Sequence, residues 1–268
     1  NAREISINGV PAANVPVTLD GFNLATAVST NTGRTAAVDM VSINSLARIE
    51  VSYSPTPDSQ GAALAGSVNL VPRSSYERSR PVSTGSTYVM MRDYRRELHP
   101  TPSPREQRTR KVYPGFDFSW VVPVNQRFGY TLSGGRTRQY AGQDLTQNTW
   151  RGTGAATNGA AFPHTTPDQP YLSTYAVRDG GKETTRHSLG TTLDYRFSPY
   201  DRISFGLQVS TFEERFNQRN ITFNTVRVLP GSFSPTFTRG ATAAGDFQQP
   251  NSGNDRLNRT YMPPLTWR

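Results

Sequence analysis

The feature that most constrains this fold is the alternation of large apolar side chains with small or polar ones in residues 116–133. A repeat of two residues places successive side chains on opposite faces of a β-strand. The pair Asn125-Gln126 interrupts the repeat, and so short a gap between two such runs is typical of a tight hairpin. The sequence therefore predicts two antiparallel strands with one apolar face, which carries Phe116, Phe118, Trp120, Val122, Val124, Phe128, Tyr130 and Leu132.

The same unit recurs later in the chain. Residues 188–197 and 203–210 alternate in the same way, with Leu193, Tyr195 and Phe205 among the large side chains. Residues 198–201, Ser-Pro-Tyr-Asp, lie between the two runs and are typical of a turn. A less regular strand is predicted over residues 83–94. This part of the chain is thus predicted to be a series of antiparallel strands.

Short and long connections alternate between these strands. The turns at residues 125–126 and 198–201 are short, whereas residues 95–110, 141–183 and 217–258 are expected to be long loops. An antiparallel meander then has its short turns at one end and its long loops at the other, as transmembrane β-barrels do. The runs also reach the about 9–11 residues that span a bilayer. We expect barrel strands with a polar face lining the lumen; a soluble sheet with a solvated polar face is the alternative.

Composition excludes several kinds of chemistry. The chain has 268 residues and no Cys, which excludes disulfides, thiolate zinc sites and a Cys nucleophile. His99, His164 and His187 lie far apart, and the sequence contains no phosphate-binding loop or nucleophile elbow. These absences agree with a protein that is not an enzyme and that has no catalytic residues, no metal and no cofactor, which is what the family resemblance described below implies.

The charge of the chain is strongly positive. The net charge is +9, and the basic residues are Arg except for Lys111 and Lys182. Such a charge invites a nucleic-acid partner, but the Arg residues are scattered and no basic helix carries them. Anionic lipid headgroups or an anionic ligand suit the charge as well, so we expect no nucleic acid. Salt-sensitive binding of nucleic acid would contradict this expectation.

The first eighty residues differ from the rest in composition and in the length of their strand-like runs. Two strand-like runs, residues 48–53 and 67–71, are separated by Pro55, Pro57 and the small residues of 61–66. Small residues permit close backbone approach, and Pro fixes a bend without needing a backbone donor. This predicts a segment packed within a confined space. The charged stretch at residues 76–81 divides the chain into units 1–80 and 81–268.

Four segments of the first unit, in order, resemble the plug domain of TonB-dependent outer-membrane receptors. They are Ile-Ser-Ile-Asn-Gly at residues 5–9, Val-Thr-Leu-Asp-Gly at 17–21, the segment 43–51 with its Arg-Ile-Glu-Val run, and Gly-Ala-Ala-Leu-Ala-Gly-Ser-Val-Asn-Leu at 61–70. The resemblance covers residues 1–80 by motif and the remainder by architecture. It implies a mainly β protein: the C-terminal part of a small α+β plug, then the first antiparallel strands and extracellular loops of an incomplete transmembrane barrel.

The resemblance also implies a function. Receptors of this family import a scarce nutrient, such as an iron chelate, an oligosaccharide or cobalamin, across the bacterial outer membrane. TonB and its inner-membrane energising complex pull on the plug. The expected partners are that complex, outer-membrane lipid and lipopolysaccharide, and the imported ligand, with a monomeric barrel in the full-length protein. The chain is expected to be a fragment that lacks the TonB box and most of the barrel.

Two sets of ligand-binding residues follow from the resemblance. In the family, loops at the plug apex follow strands such as residues 17–19, and the corresponding loop here, 21–37, contains Phe22, Asn23, Asn31 and Arg34. An aromatic ring with amide and guanidinium donors could hold a sugar or a chelate. The second set lies in the expected extracellular loop 141–183 and comprises Trp150, Arg151 and Tyr171. An ordinary exposed polar loop is the alternative for both.

Arg48 and Glu50 carry a separate hypothesis. They share one face of a strand whose other face, Ile49 and Val51, is expected to be core. In the family such plug Arg residues pair with barrel carboxylates, so the two residues are candidates for a latch between plug and barrel. A local ion pair within the strand is the alternative.

A second function remains open at this stage. A surface adhesin or a lectin-like β-sandwich could use the same loops to bind carbohydrate without transport. A sandwich should be a soluble monomer, whereas barrel strands need lipid or detergent. Solubility therefore separates the two functions.

Overall fold

A computed structural model describes residues 5–11, 14–24, 41, 45–54, 63, 66–94, 96–100, 109–151, 170–225 and 227–267. This part of the chain is mainly β, with a 3₁₀ turn at Ser75–Glu77. None of its helical residues forms a helix long and apolar enough to cross a membrane. Its strands are β1 (Val17–Leu19), β2 (Phe22–Asn23), β3 (Leu46–Ser52), β4 (Ser67–Pro72), β5 (Val82–Met90), β6 (Tyr113–Pro123), β7 (Phe128–Gly142), β8 (Leu145–Arg151), β9 (Tyr171–Arg196), β10 (Arg202–Asn224), β11 (Val228–Ser234), β12 (Phe237–Gly240), β13 (Asp246–Gln248), β14 (Asn251–Met262) and β15 (Leu265–Trp267).

The first unit contains a small mixed sheet in the order β2-β1-β4-β3. β1 and β4 run parallel, and the other neighbours are antiparallel. One apolar cluster stabilises this sheet by removing side chains from water. The cluster consists of Ile7, Val15, Val17, Leu19, Leu24, Val41, Leu46, Val68, Leu70 and Met262.

The expectation that Ile49 and Val51 are core is wrong. Their exposed fractions are 55% and 42%. β3 is the edge strand of the small sheet, and Leu46 is the residue of β3 that joins the apolar cluster. The side chains that bury β4 therefore do not extend over the rest of β3.

The second unit is built on a nine-stranded sheet. Its main path is β13-β10-β9-β7-β6-β5, while β14 and β15 also pair with β10 and β8 pairs with β9. All of these pairs are antiparallel, as the alternation in the sequence predicts. Among the described strands the sheet does not close into a barrel, since β5 has one neighbour.

Both tight turns are confirmed, and they lie at the same end of the sheet. Pro123 pairs with Gly129 across the first turn, and Arg196 pairs with Arg202 across the second. The backbone N–H of Arg196 donates to the carbonyl of Arg127 at 2.7 Å, which joins the two hairpins there. The short connections are thus on one side, as expected from their alternation with long ones.

The prediction of long loops is wrong over much of their length. The expected loop 141–183 includes β8 and the first half of β9, which pair with each other, and β9 reaches 26 residues. The expected loop 217–258 includes the end of β10 and the strands β11, β12 and β13. Apolar side chains alternate there only over short stretches, with Tyr175 and Val177 of β9 opposite Phe223 and Ile221 of β10. The charged pair Asp179 and Arg219 interrupts this face, so the alternation in the sequence is weak, but ladder hydrogen bonds form regardless of side-chain polarity.

Candidate functional site

The polar face of the large sheet lies against the first unit. Met262, on β14, is 8% exposed and belongs to the apolar cluster of the small sheet. Gly190 on β9 faces the same way, because a Cβ there would lie 3.5 Å from Cβ of Ser45. Gly129 on β7 lies even closer to the first unit, because a Cβ added at this position would be only 2.5 Å from Oγ of Ser75. The small residues of this face therefore permit close contact with the first unit.

A buried carboxylate holds the two units together. Asp194, on β9, is 1% exposed. Its Oδ2 accepts hydrogen bonds from the backbone N–H of Ser75 at 2.8 Å, from the Ser75 hydroxyl at 2.8 Å and from the Ser74 hydroxyl at 3.0 Å. Its Oδ1 accepts from the Ser204 hydroxyl at 2.6 Å. Four donors satisfy the buried charge, as a buried carboxylate requires.

The segment that supplies these donors is itself ordered locally. Ser74 caps the 3₁₀ turn, and its own N–H donates to Glu77 Oε1 at 3.2 Å, which completes a capping box. Nη1 of Arg202 donates to Ser74 Oγ at 3.2 Å, and this contact adds a cation beside the Asp194 carboxylate. The link between the units is therefore anchored on β9 and β10 as well as on its own backbone.

Tyr76 extends the same contact towards the short turns. Its hydroxyl donates to the carbonyl of Arg127 at 2.6 Å. The guanidinium carbon of Arg196 lies 4.4 Å from the centre of its ring, in cation–π geometry. Burial raises the pKa of the Tyr76 hydroxyl above its ordinary value, and the negative charge of Asp194 raises it further. The neutral phenol is thus the form that this contact stabilises.

A cavity of about 270 Å³ opens beside the anchor. Charges of both signs surround it, so it suits a polar chain segment or ligand better than an apolar one. No cluster of three or more His, Asp or Glu side chains that could bind a metal occurs in the described ranges. The cavity is lined by Asp20, Arg48, Val71, Pro72, Arg73, Ser74, Tyr76, Glu77, Thr192, Asp194, Arg202, Ser204, Gly206 and Pro264.

The structure places two of the four predicted apex residues. Phe22 and Asn23 form β2, which pairs with β1, so they do not lie in the open loop that was expected. The Phe22 ring is 45% exposed and available for contact. Asn31 and Arg34 lie outside the described residues.

The second predicted set lies on paired strands. Arg151 ends β8 and stands opposite Tyr171, the first residue of β9. Trp150 precedes Arg151 and pairs with Leu172. Tyr171 is fully buried, and its ring centre lies 5.7 Å from that of Phe233. The structure thus brings these three residues together where β8 ends and β9 begins.

Arg48 and Glu50 contact each other. Nε of Arg48 donates to Glu50 Oε1 at 2.8 Å, and Glu50 Oε2 accepts from the amide of Asn69 at 3.0 Å. The side chains are 62% and 46% exposed. The contact between the two units that the structure places at Asp194 was missed from the sequence. An acidic residue among the small polar residues of a strand face was the signal that could have found it.

Comparisons of the chain with family models, with curated proteins and with solved structures give no match.

Proposed function

We propose that this chain is part of a TonB-dependent receptor of a bacterial outer membrane, with residues 1–80 as the C-terminal part of the plug and residues 81–268 as the first strands and loops of the barrel. In this proposal the full-length protein imports a scarce nutrient and is not an enzyme. The ligand belongs to the class of iron chelates, oligosaccharides or cobalamin. The sequence motifs at residues 5–9, 17–21, 43–51 and 61–70 support the assignment.

One observation carries the proposal: the large sheet buries its polar face and exposes its apolar face. Trp120 and Leu193 are 43% and 42% exposed, whereas Ser119 and Asp194 are 4% and 1% exposed. A soluble antiparallel sheet has the opposite arrangement, and an exposed apolar surface of this extent requires a partner. A bilayer is a partner that covers a whole sheet face.

The apolar face also has a suitable height. On β7 it begins at Phe128, beside the short turns, and Arg136 is the first charged residue that follows on the same face. The eight steps between them measure about 27 Å at about 3.4 Å per residue. The apolar band of a membrane barrel is about 25 Å tall. Strands of such barrels are tilted by about 35–45°, so a strand length of about 27 Å covers about 20 Å along the barrel axis, slightly less than the height of that band.

In this proposal the first unit is a stopper, and Asp194 anchors it at the short-turn end. That end is periplasmic in a bacterial barrel, so TonB would pull on the side where Ser74, Ser75 and Tyr76 bind the sheet. Displacing the unit would require breaking hydrogen bonds to a buried carboxylate. No covalent bond of the cargo changes, so the proposal requires no catalytic group.

A fluorescence experiment tests the membrane assignment. Trp120 pairs with Leu132, midway between Phe128 and Arg136. With Trp150 and Trp267 replaced by Phe, lipids brominated in the acyl chain should quench Trp120 strongly in the refolded, reconstituted protein. The matched control keeps Trp150 as the sole Trp, and lipid should quench it less. A detergent-free soluble monomer, with Trp120 quenched only by aqueous acrylamide, would contradict the proposal and favour the adhesin.

A permeability experiment tests the stopper. In the full-length gene product, deletion of residues 5–72 should make cells sensitive to a hydrophilic antibiotic too large for general porins. The same receptor with both units intact is the control and should leave cells resistant. Unchanged resistance with a surface-detected, folded barrel would contradict the proposed role of the first unit.

A further inference from the structure

A second cavity of about 270 Å³ is lined by three arginines and by no acidic residue. It lies where β6 and β7 approach the long connections, at the opposite end of the sheet from Asp194. A water occupies about 30 Å³ in the liquid, so the cavity has room for a phosphate group. Its lining consists of Arg110, Val112, Tyr113, Pro114, Arg136 and Arg138.

The guanidinium group of Arg138 is held in place by contacts with other side chains. Arg138 forms an ion pair with Glu183, which is 3% exposed. Its guanidinium carbon also lies 4.4 Å from the centre of the Tyr113 ring. The Tyr113 hydroxyl donates to the other carboxylate oxygen of Glu183. This arrangement fixes the plane of the Arg138 guanidinium before any ligand arrives.

The same tyrosine positions the second arginine. The backbone N–H of Arg110 donates to the Tyr113 hydroxyl at 2.7 Å. Tyr113 therefore connects the backbone of Arg110 to the carboxylate that holds Arg138. Arg110 and Arg138 are thus brought to one cavity by a single buried hydrogen-bonded network.

Some of the N–H donors of these three arginines have no hydrogen-bond partner among the described residues. Within the described residues the guanidinium groups of Arg110 and Arg136 make no hydrogen bond or ion pair, and Nε of Arg138 is buried without a partner. Glu183 offsets one of the three positive charges, so about two remain. Such a set favours a dianion or a monoanion with several oxygens, because guanidinium groups bind phosphate through paired N–H donors.

The cavity adjoins the exposed apolar face. Arg136 stands directly opposite Phe116, and paired residues of antiparallel strands point to the same side. Phe116 is 45% exposed, and Trp120 continues this face towards the short turns. A ligand whose phosphate binds Arg136 would therefore place an attached chain along Phe116 and Trp120. A free anion would leave that surface uncovered.

We propose that this cavity binds the phosphate of a membrane lipid headgroup whose acyl chains lie on the apolar face of β6 and β7. The inference rests on the proposed membrane location and adds a particular lipid site to it. At the long-connection end of an outer-membrane barrel the available lipid is a phosphorylated glycolipid. Basic pockets beside an apolar surface suit such headgroups.

Lipid binding to the purified full chain in neutral detergent tests the site. The probe is bisphosphorylated lipid A, measured by native mass spectrometry against the same lipid after removal of its phosphates. Arg136→Gln should weaken lipid A binding about tenfold, the effect of losing one charge-assisted contact. The matched control is Arg256→Gln, which removes the same charge from the opposite face beside Glu214 and should leave binding unchanged.

The possible results of this experiment distinguish failure of the lipid site from failure of the membrane location. Equal binding of the phosphorylated and dephosphorylated lipids, or equal loss in both variants, overturns the site while leaving the membrane location intact. Displacement of lipid A by millimolar inorganic phosphate alone identifies a free-anion site and also overturns the proposal. If the chain takes up no lipid of either kind and needs no detergent, the membrane location itself fails.

Discussion

The backbone N–H and the hydroxyl of Ser75 both donate to the same carboxylate oxygen of Asp194, each at 2.8 Å, although 119 positions separate the two residues. Ser75 is fully buried and Asp194 is 1% exposed, so water does not compete for these bonds. Hydrogen bonds to a buried charge are worth more than those between neutral groups. This contact therefore contributes strongly to the attachment of the first unit to the sheet, beside the apolar contact of Met262.

Replacing Asp194 with Asn should loosen this attachment. The variant keeps the side-chain volume but loses the charge and turns an amide donor towards donors of Ser74 or Ser75. We expect a cost on the order of 3 kcal/mol and faster trypsin cleavage at Arg73 and Arg78. Asp201→Asn, in the exposed turn, is the control and should cleave as the native chain does. Unchanged cleavage rates in Asp194→Asn would refute the anchor.

A methyl group at Gly129 should have a similar effect through sterics. Its Cβ would lie 2.5 Å from Oγ and 2.6 Å from Cβ of Ser75, closer than atoms can approach. Overpacking of this kind costs about 1–3 kcal/mol. Gly85→Ala is the matched control, because the nearest atom to its Cβ is the Asp117 carbonyl oxygen at 3.4 Å. Hydrogen exchange at residues 74–77 should rise in Gly129→Ala alone; equal rises would show that Gly129 has no special role.

The apolar face of the sheet could be predicted because its signal is local. Phe118 and Trp120 alternate with Asp117 and Ser119 within one strand, and a repeat of two fixes their faces without any knowledge of partners. The tight turn at Asn125 is local too. The four plug-like segments were also predicted from local sequence, and three of them overlap β1, β3 and β4.

The rest of the fold depends on pairing between distant residues. β8 has polar residues on both faces, and only its register against β9, with Leu145 opposite Arg178, makes it a strand. The bond from Ser75 to Asp194 joins residues that are 119 positions apart in the sequence. Ile49 has the alternation of a core residue, yet the edge position of β3 leaves it exposed. Local patterns do not identify the distant partners on which these three outcomes depend.

A charge at Leu193 distinguishes lipid from water on the apolar face. Arg on the lipid side of a barrel strand costs about 2–4 kcal/mol at the bilayer midplane, whereas a water-exposed substitution stays within about 0.5 kcal/mol. We expect Leu193→Arg to lower the free energy of unfolding in vesicles by about 2 kcal/mol, measured by urea titration. Tyr200→Arg, in the turn with Tyr200 91% exposed, should have no effect. A neutral Leu193→Arg would argue for a water-facing surface.

The ion pair of Arg48 and Glu50 should contribute little to stability. Both side chains are largely solvated, and such pairs are worth about 0–1 kcal/mol. Arg48→Ala should therefore leave the unfolding midpoint of the full chain almost unchanged, with Arg80→Ala as a control for removal of a charge. A loss of several kcal/mol, or release of the first unit in the full-length receptor, would instead support the latch hypothesis for Arg48.

Alkaline pH should weaken the contact of Tyr76. Its pKa is raised by burial and by the charge of Asp194, so the folded state favours the neutral phenol more than the unfolded state does. The stabilisation is complete below the ordinary Tyr pKa of about 10 and is lost as the pH rises through the higher folded value. The difference between the 295 nm titrations of the native chain and Tyr76→Phe isolates this hydroxyl from the other tyrosines. A difference curve centred at or below the ordinary value would contradict the contact of Tyr76 with Arg127 and Asp194.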